Sequence, residues 1–394
     1  MSKHHSRTNY LKSIQITGFR VRQICSIFPI GVKIFQNRVL FHYIESMKFI
    51  DYGIGINEPT FIVAEISGNH GGNKEVCFEL IRQARNVGAN AVKFQTYTAE
   101  TITLNTDAID FLLPKDSPWG KYNSLFDLYS EAFTPWEWQG ELFEYARKLD
   151  LLPFSSPFDL SAVDFLESIE CPIYKIASPE INHIPLLERV SKTGKPIIIS
   201  LGVASKADLD LALETIRDTN QNEVALLHCE TSYPAEKENA NISQITYLRE
   251  SYPYLVGYSD HTRGSLTGLA AVSSGAKIVE KHLVLNASKE TVDSFFSSTS
   301  DAFEEYVTLI REVEKVLGRP LFRDGGSVNT IRNKRSIYPR KAIIKGELLD
   351  STMITVVRPG LGIHPKFINQ LIGKRAKRDL QIGERISLSD FEDS

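Results

Sequence analysis

The sequence holds little cysteine, tryptophan or methionine: four, three and three in 394 residues. Cys25, Cys77, Cys171 and Cys229 form no Cys-x-x-Cys pair, and Cys171 and Cys229 lie in apolar runs. This excludes a disulfide-stapled scaffold and points to a reduced, cytoplasmic protein. An excess of one charge is also missing. At a net charge of −3 the chain is not a general nucleic-acid binder. Long apolar runs are absent too. The stretch 24–44 is hydrophobic, but Pro29, Lys33, Gln36, Asn37 and Arg38 interrupt it, so it is a poor membrane span. No small-residue cleavage site follows a clean apolar core, which makes it a poor signal peptide as well.

What is present is a 42% hydrophobic, 24% charged chain, the balance of a globular enzyme. Residues 1–46 differ from the rest. They carry seven Lys/Arg against the single acid Glu45, a charge of +6 that leaves −9 for the remainder. They are expected to be a basic extension, disordered or not native, with translation starting at Met47; a basic targeting arm is the other reading.

From Phe61 onward a unit repeats: apolar run, polar cluster, amphipathic helix. Strands are expected at 61–66, 91–95, 152–155, 174–177, 196–200, 224–229, 255–258 and 277–281. Helices are expected between them, with Gly88 and Gly194 as stops and Ser205 as an N-cap. Eight near-equal β–α units, and no Gly-x-Gly-x-x-Gly after the first, predict a closed (β/α)8 TIM barrel over 47–320. The segment 96–134 is long and aromatic, with Trp119, Tyr122, Phe126, Tyr129 and Phe133. It reads as a lid or substrate wall, or equally as a plug on the barrel rim. A polar, glycine-containing linker at 321–333 leads to a β-rich domain at 334–394.

In such a barrel the active site gathers at the C-terminal ends of the strands. Those ends offer Glu65, Ser67, Asn69 and His70; Lys93 and Gln95; Ser155, Ser156 and Asp159; Lys175, Ser178 and Glu180; and Ser200. They continue with His228, Thr231, Ser232 and Tyr233; Ser259, Asp260 and His261; Lys281 and His282; and Asp293. So many polar groups would be costly to bury without a purpose. Lys93 and Lys175 with Ser156, Ser178, Ser200 and Ser259 suit an anion of phosphate size. His261 and His282 on neighbouring strands can share a divalent metal, or can be two hydrogen-bonded rim histidines. Glu65 and Glu180 can act as acid, base or partner of a metal-bound water. Gln95, Tyr233 and Asp293 can hold sugar hydroxyls.

These residues fall in motifs: FIVAEI at 61–66 with Asn69-His70-Gly71, VKFQT at 92–96, SSPFD at 155–159, YKIAS at 174–178, SDHT at 259–262 and EKH at 280–282. With them the sequence, from about residue 49 to 391, resembles the phosphoenolpyruvate-dependent nonulosonic (sialic) acid synthases. Lys345-Gly346-Glu347 and Arg358-Pro359-Gly360 in the tail resemble that family's C-terminal SAF (antifreeze-like, β-clip) domain. Trp119-Gly120, Thr134–Trp138 by sequence (TPWEW) and SPFDLSAVDFLE at 156–167 are most similar to the pseudaminic acid synthases. N-acetylneuraminate and N,N'-diacetyllegionaminate synthases are the alternatives.

The resemblance implies that phosphoenolpyruvate, an open-chain acylamino sugar and water give a nine-carbon 2-keto acid and phosphate by C–O cleavage. The implied sugar is 2,4-diacetamido-2,4,6-trideoxy-altrose and the implied product pseudaminic acid. Glu65 and Glu180 would be catalytic, and His261 and His282 would hold Mn2+ or Mg2+. Lys93, Ser156, Lys175, Ser178, Ser200 and Ser259 would bind phosphoenolpyruvate. Gln95, Tyr233, Asp293 and, from the partner's SAF domain, the position of Arg358 would bind the sugar. A domain-swapped homodimer follows, with neither nucleic acid nor membrane as partner. The chain departs from the family pattern at Leu201, Glu230 and Pro179, positions that bear on the substrate more than on the metal or the base. A metal-dependent sugar-phosphate aldolase in the same barrel is the reading from a different enzyme class, and a sugar- or ice-binding protein is the non-enzymatic one.

Overall fold

The structure is a computed structural model that describes residues 48–286, 290–318 and 328–393. The extension 1–46, Met47 and residues 321–327 of the expected linker lie outside the described residues. The chain falls into two compact units that part after Gly318.

The first unit is a closed barrel. Eight parallel strands run β1 Phe61–Glu65, β2 Ala91–Thr96, β3 Leu152–Pro157, β4 Tyr174–Ile176, β5 Ile197–Ser200, β6 Val224–Cys229, β7 Leu255–Asp260 and β8 Ile278–Val284. Each pairs with its neighbour in sequence, and β8 pairs back onto β1, from Phe61 opposite Ile278 to Glu65 opposite His282. All eight expected strands are found. They read as apolar runs because lumen and helices cover both faces, and β1, β5, β6, β7 and β8 are buried throughout.

The helices follow their sequence signals. In Lys74–Asn86 the buried residues Cys77, Leu80, Ile81 and Ala84 fall three or four apart, so one face meets the barrel. Asn73 caps that helix by accepting from the Glu75 N–H at 3.0 Å. Ser205 and Asp208 form a reciprocal capping box before Lys206–Thr219. Gly88 and Gly194 adopt left-handed backbone, φ +85° and +73°, at the two expected stops. Among the described residues no helix is long and apolar enough to cross a membrane.

The segment between β2 and β3 is not structureless. It holds the short helices Ala99–Ile102 and Leu125–Ala132 and a small apolar core. There Leu128 and Ala132 meet Val292 of the loop after β8, with Trp119, Tyr122 and Tyr129 alongside. The Trp119 indole N–H donates to the Val292 carbonyl at 3.0 Å.

The second unit is β-rich, as expected, but its strands are short. Ser336–Pro339 pairs antiparallel with Ile354–Val357, and Arg375–Ala376 with Phe391–Glu392. Ile337, Ile343, Leu349, Leu371, Leu380 and Phe391 fill its own core. Residues 328–333, expected as linker, form the helix Val328–Asn333.

Candidate active site

Side chains alternate between the two faces of a strand. On β8 this puts Glu280 and His282 on one face and Lys281 on the other. The inward set converges at the C-terminal mouth. Lys93 lies 2.6 Å from Glu65 and 3.6 Å from Glu280, and Lys175 lies 3.2 Å from Glu280. β4 and β8 stand opposite each other in the ring, so the Lys175–Glu280 pair spans the lumen. Gln95 donates to Glu65 at 3.2 Å, Lys93 to Ser156 at 3.4 Å, and Ser259 to Glu280 at 3.0 Å. Glu280 is therefore the hub, and the sequence reading gave it no role. Its parity with His282 on β8 was the available signal.

Electrostatics separate the two glutamates. Burial raises the Glu65 pKa and outweighs the opposing Lys93. Burial works the same way on Glu280, but Lys175 and Lys93 together overcome it and hold that pKa at about 2. Two carboxylates pushed in opposite directions suit opposite tasks, one to exchange a proton and one to stay charged. The lysines divide as well. Burial lowers the Lys175 pKa despite Glu280, whereas Glu280 and Glu65 overcome burial at Lys93 and raise it. Glu180, just past β4, is pushed up to about 7 by burial.

His261 and His282 face each other with ring centroids 5.5 Å apart. The Glu230 carbonyl, 2.7 Å from Nδ1 of His261, accepts its proton, which leaves the lone pair on Nε2. Burial lowers both pKa values, so both imidazoles are neutral, as metal ligands must be. Nδ1 of His282 is buried and unpartnered. Among the described residues no three or more His, Cys, Asp or Glu are grouped to hold a metal. The arrangement fits a two-imidazole site whose remaining positions are left to ligands from outside the protein.

Other buried polar atoms lack partners here too: Oε2 of Glu180, the Ser200 hydroxyl and the Thr231 hydroxyl. Each such group costs about 1–3 kcal/mol unless something polar arrives. Ser178 accepts from the Val203 N–H at 2.8 Å, which ties the loop after β4 to the loop after β5. Gly202 lies against that contact. A Cβ there would meet the Thr231 hydroxyl at 1.9 Å and Cys229 Sγ at 2.8 Å, so no larger residue fits.

One side of the mouth is aromatic. Tyr233 packs on His261 at 4.5 Å between centroids and on Trp119 at 5.7 Å, and Phe296 packs on His282 at 4.7 Å. Asp293 accepts from the Ser67 hydroxyl and from the Gly68 N–H, and burial, with Glu65 nearby, pushes its carboxyl up to about 7. Asn69 fastens this wall. Its amide donates to the Leu283 carbonyl at 2.9 Å and to Ser297 at 2.8 Å, and its oxygen accepts from Thr291 at 2.9 Å.

Several strand-end residues do not join the mouth. His70 is buried beside Thr134, with a pKa lowered by burial to about 4. His228 bonds the Ala240 carbonyl at 2.7 Å. Asp159 caps Leu160–Ser168. Asp260 and Lys281 turn outward, toward the helix Ser300–Leu317. Arg358 is an exposed residue of the second unit.

Comparison with known proteins identifies the family. The model of the NeuB family matches residues 80–321, and that of the SAF domain matches 334–392. A pseudaminic acid synthase of Helicobacter pylori is 40% identical over 339 residues, covering 86% of this chain and 99% of that protein. One from Campylobacter jejuni is 38% identical over 336 residues, covering 85% and 97%. The crystal structure of the N-acetylneuraminic acid (sialic acid) synthetase of Leptospira borgpetersenii, in complex with citrate, is 32% identical with a TM-score of 0.63, covering 70% of this chain and 91% of that one. A family match over most of the barrel, and relatives matched along almost their whole length, lead to one assignment: the chain belongs to the NeuB family and ends in a SAF domain.

Proposed function

We propose that this protein is a pseudaminic acid synthase. It condenses phosphoenolpyruvate with open-chain 2,4-diacetamido-2,4,6-trideoxy-altrose and water, releasing phosphate by C–O cleavage. The single observation that carries the reading is the mouth itself. Two buried ammoniums share two carboxylates beside a pair of neutral imidazoles, with unpartnered hydroxyls around them.

Lys93 and Lys175, with Ser156, Ser178, Ser200 and Ser259, hold the enol phosphate. Glu280 holds both lysines in place and favours their charged forms. Glu65, whose pKa burial raises, serves the water that adds at carbon two. Glu180 is the second proton-handling group. Gln95, Tyr233 and Asp293 orient the sugar, and the aromatic wall lines the mouth beside the two histidines. A divalent ion, Mn2+ or Mg2+, held by His261 and His282, would supply Lewis-acid activation of the sugar aldehyde. The acceptor is read from the pseudaminic acid synthases among the relatives.

A homodimer in which Arg358 of one chain completes the other's site belongs to the same proposal. Its support in this chain is a set of exposed apolar residues on the segments that follow β2, β5 and β7: Leu104, Ile109, Val203 and Leu266. The working boundaries are 47–320 for the barrel and 334–394 for the tail domain.

The test supplies phosphoenolpyruvate, Mn2+ and a panel of acylamino hexoses, with phosphate release and product mass as readouts. The expected result is phosphate together with a nine-carbon acid, fastest with the altrose derivative. Label in the bridging oxygen of phosphoenolpyruvate then appears in phosphate. An aldolase would release no phosphate, and that outcome would overturn the reading.

A further inference from the structure

Behind the barrel wall lies a second charged group that the proposed chemistry does not use. Asp260 ends β7, Lys281 is its register partner on β8, and their side chains meet at 3.0 Å with almost no exposure. Asp260 accepts from the Thr262 N–H at 2.9 Å, from the Thr262 and Thr267 hydroxyls at 2.8 and 3.2 Å, and from the Tyr306 hydroxyl at 3.1 Å. Lys281 donates to the Thr262 carbonyl at 2.7 Å and lies over the Tyr306 ring at 5.1 Å. A Cβ on Gly268 would lie 2.0 Å from the Tyr306 hydroxyl, so that glycine leaves Tyr306 its place in the network.

A buried ion pair is a poor way to gain stability. Apolar residues of the same size commonly serve as well or better, and the best-attested use of such a pair is to fix register. The register here has a consequence. Asp260 and Lys281 face outward, and the next residue on each strand faces inward. Those next residues are His261 and His282. A slide of β7 along β8 that parted the ion pair would shift the two imidazoles by the same amount.

We propose that Asp260 and Lys281, held by Tyr306 and Thr262, are positioning residues that set the distance between His261 and His282. The inference rests on the reading that those histidines hold a divalent ion. The pair acts through strand register and touches neither ion nor substrate.

The experiment measures Mn2+ affinity by electron paramagnetic resonance, without substrates, on the full chain, alongside thermal unfolding. Asp260→Asn and Lys281→Met are each expected to bind Mn2+ at least about 10-fold more weakly, the scale of supporting-residue effects at metal sites. The double variant Asp260→Leu/Lys281→Met leaves no unpaired charge. It is expected to recover thermal stability while its Mn2+ affinity stays weak, a split that a merely structural role would not produce. If either single variant fails to fold, the double variant decides. Native affinity in a folded double variant would overturn the inference. His282→Ala separates the two layers: if it binds Mn2+ as well as the native chain, the metal reading itself falls, and the positioning role falls with it.

Discussion

Glu280→Gln tests the hub of the mouth most directly. The native carboxylate lies 3.2 Å from Lys175 and 3.6 Å from Lys93 and accepts from Ser259 at 3.0 Å. Glutamine keeps the shape and the hydroxyl contact but removes the charge. Two buried ammoniums then lose the carboxylate that they share, and Lys93 keeps its contact with Glu65. Breaking a buried pair this way costs about 3–5 kcal/mol, because an uncompensated charge stays behind. For a barrel of this size that is a fall in Tm of about 6–20 °C. Phosphoenolpyruvate carries a phosphate that can restore the missing charge. It should therefore protect the variant more strongly than the native chain, which differential scanning fluorimetry with and without the ligand reads directly. A variant that melts at the native temperature, with an unchanged response to phosphoenolpyruvate, would refute the idea that Glu280 balances the two lysines.

Glu65→Gln should keep the native circular dichroism and lower turnover about 10²- to 10⁴-fold, the range of a lost general acid–base group; normal turnover in the phosphate-release assay removes Glu65 from the mechanism. Arg358→Ala should lower kcat/KM for the sugar about 10- to 100-fold, as for a lost charged hydrogen bond, and unchanged steady-state kinetics would end the swapped-tail proposal. Glu180→Gln should change how ligand-free stability depends on pH. The Glu180 pKa is raised from 4.5 to about 7, so its contribution is present below 4.5 and is lost as pH rises through 7. That difference amounts to about 3 kcal/mol at most. The variant should therefore gain Tm at pH 8.5 and match the native chain near pH 4, and melting curves offset equally at both values would contradict the assignment.

The barrel was legible because each strand is an apolar run closed by a polar cluster, and because the helix stops at Gly88 and Gly194 are local signals. Convergence of Glu65, Lys93, Lys175, Ser259, His261 and His282 followed from a rule about strand ends. What local patterning hid was pairing across the lumen. Lys175 and Glu280 are 105 residues apart and meet only because β4 and β8 face each other in the closed ring. Strand-end position alone placed Asp260 and Lys281 in the mouth, whereas side-chain parity sends them out to Tyr306. The same parity turns His228, within β6, out to the Ala240 carbonyl, and His70 and Asp159 lie just past their strands, where residues can turn back to serve the nearest helix or loop. The contact of Trp119 with the Val292 carbonyl joins loops 173 residues apart, and no periodicity announces it.

The seam between those two loops has an engineering consequence. Trp119 and Val292 belong to segments that leave the strands and meet above them through one indole proton and a few apolar side chains. The residues that hold the two lysines come from elsewhere in the ring, whereas Phe296 of the second segment packs on His282. Segments 103–134 and 290–297 can thus be swapped together, as a cassette, between homologues that differ in acceptor, with Phe296 kept in place against His282.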